Sequence, residues 1–301
     1  MRDFIDPGVL GRLSALPLNA RFAMSGNVSG RHRSQSRGSS LEFSEYRKYV
    51  PGDDTRRLDW RAWGRSDRYF IKEFEADTNL RLCLVIDTSG SMNYSEPIPS
   101  SARHPSEVSR IACARQLAGT LACLAATQGD AVGVYFSNSL TNRRIAPKRS
   151  SAHLRFILDE LSAIRAEGTS TLTQTLHEVA EQIPRRALVV IISDLFVDSA
   201  ELQSCFQHLR FRRHDVVLFH VLGRSELEFE FDRPVRFLDL EGAPPMLIDP
   251  VSVASRYREA IEEWMTEIRQ TTRQSNVDYR FTTMDRSYED VLAEFLIARQ
   301  R

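Results

Sequence analysis

The chain has 301 residues, enough for one large domain or for one domain with an appendage. Forty Lys and Arg balance forty Asp and Glu, so no net field draws the whole molecule towards nucleic acid or an anionic membrane. The longest apolar runs, 82–86 and 187–192, fall far short of the roughly 20 residues that span a bilayer, and no membrane insertion is expected.

In chain order, Pro7, Gly8 and Pro17 break the apolar stretch that a signal peptide would need, so export by that route is not expected. Residues 1–79 read as an irregular, β-containing extension. Arg, Gly and Ser dominate 26–40, and aromatics interleave with charges over 43–74. Residues 21–72 hold twelve Arg or Lys against six Asp or Glu, the one basic patch of the chain. Pro51-Gly52-Asp53-Asp54 ahead of Arg56 and Arg57 suits a tight turn with carboxylates beside guanidinium groups. Trp60 and Trp63 lie one helical turn apart, a spacing that suits core packing.

From residue 80 to 301 short apolar runs alternate with amphipathic stretches, which predicts an α/β fold: a doubly wound, mostly parallel sheet of the Rossmann type. The first strand is 80–86. Pro105 and Ser106 open a helix with Val108, Ile111, Ala114, Leu117, Ala118, Leu121 and Ala125 on its inner face, stopped by Gly129. A strand at 130–136 precedes a helix capped by Ser150 or Ser151, with Leu154, Ile157, Leu158, Leu161 and Ile164 on one stripe. Next come a helix at 172–183, the fully buried strand 187–193, a helix at 200–210 and the strand 216–222. A period-two stretch, Leu227, Phe229 and Phe231, then Val235 and Phe237 around Asp232-Arg233-Pro234, predicts an inserted β-hairpin at about 225–240. A helix at 251–273 should bury Val253, Tyr257, Ile261, Trp264, Met265 and Ile268, ahead of a strand at 279–282 and a helix at 288–298. Cys83, Cys113, Cys123 and Cys205 show no paired spacing, so buried reduced thiols in the cytoplasm are expected.

The pattern that carries chemistry follows the first strand: Asp87-Thr88-Ser89-Gly90-Ser91, at the carboxyl edge where open α/β sheets bind ligands. One carboxylate and two hydroxyls, all oxygen, suit a small hard dication, Mg²⁺ first and Mn²⁺ or Ca²⁺ as alternatives. Gly168-Thr169-Ser170-Thr171 and Ser193-Asp194 should bring further oxygen to the same edge. With only Asp87 and Asp194 as carboxylates, the shell stays incomplete and a partner's acid could fill it. The competing reading makes Asp87 and Asp194 helix N-caps. No histidine pair has metal-binding helical spacing, with His208, His214 and His220 six apart, and no Gly-x-x-x-x-Gly-Lys-Ser/Thr loop is present, so the chain itself should not hydrolyse nucleotide.

These three segments resemble the metal-ion-dependent adhesion site of von Willebrand factor A-type domains. Upstream, Gly30-Arg31-His32-Arg33-Ser34, Glu42-Phe43, Arg47-Lys48-Tyr49-Val50-Pro51-Gly52-Asp53-Asp54, Arg56-Arg57-Leu58-Asp59-Trp60 and Lys72-Glu73-Phe74-Glu75 resemble the domain-of-unknown-function family fifty-eight, and the likeness covers nearly the whole chain. It implies a bacterial or archaeal protein with an A-type domain at 80–301, in a short form without membrane segments. It also implies a protein partner, a MoxR-type AAA+ ATPase. Asp87, Ser89, Ser91 and Asp194 are then metal-site positions, joined by Thr169 if one counts from Gly168 or by Ser170 if one counts back from Leu172 and Leu176. The resulting expectation is a non-enzymatic, metal-dependent binding module. Two alternatives stand beside it. One is a metal-dependent hydrolase or phosphoryl-transfer enzyme. The other is a nucleic-acid binder using Arg31, Arg33, Arg37, Arg56, Arg57, Arg61, Arg65 and Arg68 with Tyr46, Trp60 and Trp63 as stacking faces, against which six nearby carboxylates argue.

Overall fold

The computed structural model describes residues 2–21, 42–48, 70–75, 80–98, 106–140, 143–183, 186–229, 231 and 233–300. Contacts divide the chain into two units, one made of 22–79 and the other of the remainder. The described part of the smaller unit is a pair of antiparallel strands, β1 (Glu42–Lys48) and β2 (Phe70–Glu75), with a bulge between Phe43 and Glu45. The expectations for Arg31, Arg33, Arg37, the turn at Pro51 and Gly52, Arg56, Arg57, Trp60, Arg61, Trp63, Arg65 and Arg68 lie outside the described residues, as does the side chain of Tyr46.

The larger unit opens with α1 (Pro7–Leu13), whose first turn is capped by Asp6 through the amides of Gly8 and Val9. Sequence reasoning grouped residues 1–79 as one extension, yet 2–21 belong with the sheet. Ile5, Val9, Leu13 and Leu18 are buried, Arg12 pairs with Glu289 at 2.5 Å, and the Arg21 amide donates to Asp215 Oδ2 at 2.7 Å. Then follow β3 (Arg81–Asp87), a 3-10 turn (Gly90–Asn93), β4 (Ser95–Ile98), β5 (Ser106–Ser109), α2 (Arg110–Thr127), β6 (Ala131–Ser137), β7 (Arg144–Lys148), α3 (Ser151–Ala163) and α4 (Leu172–Gln182). The chain continues through β8 (Leu188–Ser193), α5 (Ser199–Phe211), β9 (Asp215–Leu222), α6 (Arg224–Glu228), β10 (Val235–Phe237), β11 (Met246–Ile248), α7 (Pro250–Gln274), β12 (Asp278–Thr283) and α8 (Tyr288–Ala298).

Six of these strands form one sheet in the order β12-β9-β8-β3-β6-β7, all parallel except the edge strand β7. Every residue of β6, β8 and β9 is buried, which is why those strands read as unbroken apolar runs rather than as alternations. Cys83 and Val85 of β3 face a core shared with Leu172, Leu176 and Val179 of α4, Leu202, Phe206 and Leu209 of α5, and Ile268 of α7. Helix α2 packs beside β3 and β6 and buries Ile111, Ala114, Leu117, Ala118, Leu121 and Ala125. At about 1.5 to 3 kcal/mol for each large aliphatic side chain removed from water, these two layers supply the main stabilisation. All four cysteines are free and buried.

Three local readings are corrected. The helix expected from Pro105 or Ser106 begins at Arg110. Ser106–Ser109 instead pairs antiparallel with β4, and Ser109 Oγ then caps the helix by accepting from the Ala112 amide at 3.3 Å. The period-two stretch is helix rather than strand over 225–228. Glu96 accepts from the amides of Arg224 and Ser225 at 2.7 and 3.1 Å and so caps α6, while Phe229, at φ +48°, ends that helix and is buried. The hairpin that does form pairs β10 with β11, farther along the chain. Finally, the apolar stripes are only partly inside: Ile157 and Leu161 of α3 and Met265 and Ile268 of α7 are buried, whereas Leu154, Leu158, Ile164, Val253, Tyr257, Ile261 and Trp264 are half-buried.

Candidate functional site

The sheet order creates a switch point. From β3 the chain moves to β6 on one side, and from β8 it moves to β9 on the other, so the loops after these neighbouring strands diverge around a crevice. Asp87 ends β3 and Ser193 ends β8, which sets both polar segments at that crevice. The α3–α4 loop is brought to the same place by the backbone, where the Gly90 amide donates to the Gly168 carbonyl at 2.8 Å and the Glu167 amide to that of Thr88 at 2.9 Å.

Asp87 is the hub. Its Oδ1 accepts from the Ser89 amide at 3.0 Å and from Ser89 Oγ at 2.7 Å. Its Oδ2 accepts from Ser193 Oγ at 2.8 Å and from Ser170 Oγ at 3.3 Å. Ser91 Oγ lies 3.0 Å from Ser89 Oγ. The structure thus brings Asp87, Ser89, Ser91 and Ser170 together. Thr169 is turned elsewhere: its amide donates to Ser139 Oγ at 3.0 Å, its carbonyl accepts from the Ser139 amide, and its side chain is exposed. Neither Asp87 nor Asp194 caps one of the helices, whose N-caps in this region are Ser109, Thr171 and Asp198.

Asp194 belongs to a second, adjoining network. Its Oδ2 accepts from Arg110 Nη1 at 2.6 Å, and the same nitrogen donates to the Ser91 carbonyl at 2.8 Å. The other end of the guanidinium pairs with Glu226, and its plane lies 4.8 Å from the Tyr94 ring centroid and 5.4 Å from that of Phe196. On the far side of Asp194, its backbone carbonyl accepts from His220 Nε2 at 3.0 Å. A carbonyl can only accept, so that nitrogen carries the proton and Nδ1 accepts from the Tyr279 hydroxyl at 2.8 Å. Burial holds His220 neutral and depresses its pKa to about 3.

Burial is also the main cause raising both carboxyls of the site above the usual carboxylate range. At Asp87 the bonds from Ser89 and Ser193 oppose it, and the charge of Glu241 adds to it. At Asp194 the nearby charge of Asp87 adds to burial, while Arg110 and the Ser91 hydroxyl oppose it. A cation between the two loops would relieve the same desolvation. The donor set fits a hard dication because Asp87, Ser89, Ser91 and Ser170 offer only oxygen. These residues would hold it directly, and Asp194, half-neutralised by Arg110, would face it from the second network. Among the described residues no group of three or more His, Cys, Asp or Glu is gathered for a metal, so in such a site hydroxyls would outnumber carboxylates as donors.

Sequence reasoning missed Arg110, Glu226, His220 and Glu241. Arg110 carried a signal: it stands one turn before Ala114 on the same stripe as Leu117, Ala118 and Leu121, a charge at a position that the pattern reserves for core. Glu226 and Glu241 carried none, since Glu226 arrives on the short helix α6 and Glu241 on the connection between β10 and β11, both placed by contacts distant in sequence.

The sequence profile of the family described as "Protein of unknown function DUF58" matches residues 45–271. Uncharacterized protein Rv1480 of Mycobacterium tuberculosis is 24% identical over 304 residues, covering 99% of this chain and 92% of its own. Uncharacterized protein Mb1516 of Mycobacterium bovis matches to the same extent, 24% over 304 residues. Among solved structures, an aerotolerance-related membrane protein from Bacteroides fragilis aligns at 13% identity and a TM-score of 0.47, covering 73% of this chain and 100% of that one. The SpRpn10 VWA domain aligns at 10% identity and a TM-score of 0.43, covering 72% of this chain and 95% of its own. In the described part of this chain no helix is long and apolar enough to cross a membrane.

Proposed function

We propose, from the premise that this chain belongs to the DUF58 family of unknown function, that it is a non-enzymatic module which binds a protein partner through a divalent cation. The cation is Mg²⁺, with Mn²⁺ or Ca²⁺ as alternatives, held by Asp87, Ser89, Ser91 and Ser170 with Asp194 behind them. The partner completes its shell with an Asp or Glu side chain. One observation carries the reading: four side-chain hydroxyls and one buried carboxylate converge at the carboxyl-edge switch point, an all-oxygen cradle with too few charges to satisfy a dication alone. The partner proposed on family resemblance is a MoxR-type AAA+ ATPase in the cytoplasm, which would supply the nucleotide chemistry that this sequence lacks a loop for.

A hydrolytic role has less support. Activating a water needs a free base within reach of the cation. The imidazole in this region, His220, is neutral with both nitrogens engaged, and Asp194 is committed to Arg110.

The test is direct binding between the purified chain and a candidate MoxR-type ATPase, measured in Mg²⁺ and in EDTA, with Asp87→Ala as the second arm. Binding should vanish in both EDTA and the variant while circular dichroism stays native. Undiminished binding in EDTA contradicts the proposal.

A further inference from the structure

The connection between β10 and β11 passes over the candidate site. A Cβ added to Gly90 would lie 2.0 Å from the Leu240 carbonyl oxygen, so the loop after β3 and the 238–242 segment touch backbone to backbone. From there Glu241 reaches in, and its Oε2 accepts from the Ser170 amide at 3.4 Å. The segment has a fixed local shape, with Asp239 Oδ1 accepting from the Glu241 amide at 2.6 Å. Together with Ser91 it walls a cavity of about 480 Å³ lined also by Arg110, Phe196, Phe229 and Tyr257. Leu238 and Leu240, 65% and 45% exposed, add apolar surface to the lining of this cavity.

Resting on the metal reading above, we infer that Glu241 is this chain's own acid for the Asp87 site, and that an acidic partner binds by displacing it. The charge balance supports this. Arg110 neutralises much of what Asp194 could offer a cation, whereas Asp87 accepts from hydroxyls and an amide, and Glu241 meets the same cradle at the Ser170 amide. A tethered group competes at an effective concentration on the order of millimolar, enough to hold off weak acids yet yield to a partner with further contacts. The partner's contacting segment would then resemble what it replaces, an acid flanked by aliphatic side chains as in Leu238-Asp239-Leu240-Glu241.

The experiment compares the full-length wild type, Glu241→Gln and Asp87→Asn with two probes. The first is Mn²⁺ alone, followed by electron paramagnetic resonance. The second is a labelled peptide of residues 237–243, followed by fluorescence anisotropy in excess Mg²⁺. Glu241→Gln should bind Mn²⁺ about threefold or more weakly, and the peptide about tenfold more tightly, than the wild type. Equal affinity of the two proteins for either probe, or no peptide binding to Glu241→Gln, overturns the inference. If the wild type still binds Mn²⁺ and Asp87→Asn does not, the metal reading survives that failure. Absence of Mn²⁺ binding by the wild type overturns both.

Discussion

Arg110 donates from Nη1 to Asp194 Oδ2 at 2.6 Å with both side chains nearly out of water, 1% and 2% exposed. The pair joins the start of α2 to the end of β8, and so ties the two loops of the switch point to each other. Removing one partner of such a pair strands a buried charge, at about 3 to 5 kcal/mol. Arg110→Met should therefore lower stability by that order. Adding Asp194→Asn to Arg110→Met should recover part of the loss, because the stranded carboxylate is gone. Urea denaturation of the two single variants and the double variant measures the coupling, and additive losses would show that the pair contributes nothing.

The hydroxyls around Asp87 should separate into two kinds. Ser193 Oγ donates to Asp87 and accepts from the Leu195 amide at 2.9 Å in a wholly buried position, so Ser193→Ala strands the Leu195 amide and removes the shorter of the two bonds to Asp87 Oδ2, and should cost about 1 to 3 kcal/mol. Ser170 is half-buried and makes a longer bond, so Ser170→Ala should change stability by about 0.5 kcal/mol or less while weakening Mn²⁺ binding. Paired melting and Mn²⁺ titrations of the two variants distinguish them.

Gly90→Ala places a carbon 2.0 Å from Leu240 O, against backbone that cannot yield as a side-chain tip can. The 238–242 segment must lift. The expected result is a loss of about 1 to 3 kcal/mol and faster proteolysis within 238–248, read by mass spectrometry of a timed digest. An unchanged cleavage pattern would show that the segment is not held against the loop.

His214 lies away from the site, with Nδ1 accepting from the Ala187 amide at 3.2 Å, and burial depresses its pKa to about 4. The unfolded chain takes up that proton near pH 6.5 and the folded chain resists until about 4, so stability falls as the pH drops through this window. Between pH 7 and 5 the contribution is about 2 kcal/mol. In His214→Asn the difference in unfolding free energy between these two pH values should shrink by that amount; an equal pH dependence in both proteins would remove His214 as its cause.

The parallel strands were legible because burial on both faces leaves no room for polar residues, and 82–86 and 187–192 show it directly. The Asp87 segment was legible for a related reason: polar residues crowded at the end of an apolar strand have to face the crevice. What stayed hidden depends on contacts distant in sequence. The edge strand β7 has a mixed pattern because only one of its sides meets the sheet. Residues 225–231 alternate in sequence as a strand would, yet Glu96, more than a hundred residues earlier, caps 224–228 into helix. The choice between Thr169 and Ser170 rests on which one the Ser139 backbone takes, and no spacing rule contains that.

Calorimetric titration of the full-length chain with Mg²⁺ and Mn²⁺, beside Asp87→Asn, asks directly whether the oxygen cradle around Asp87 holds a dication. One saturable site per chain is expected in the wild type and none in the variant, with the two proteins folding alike. Equal metal binding by both, or none by either, would contradict the metal reading.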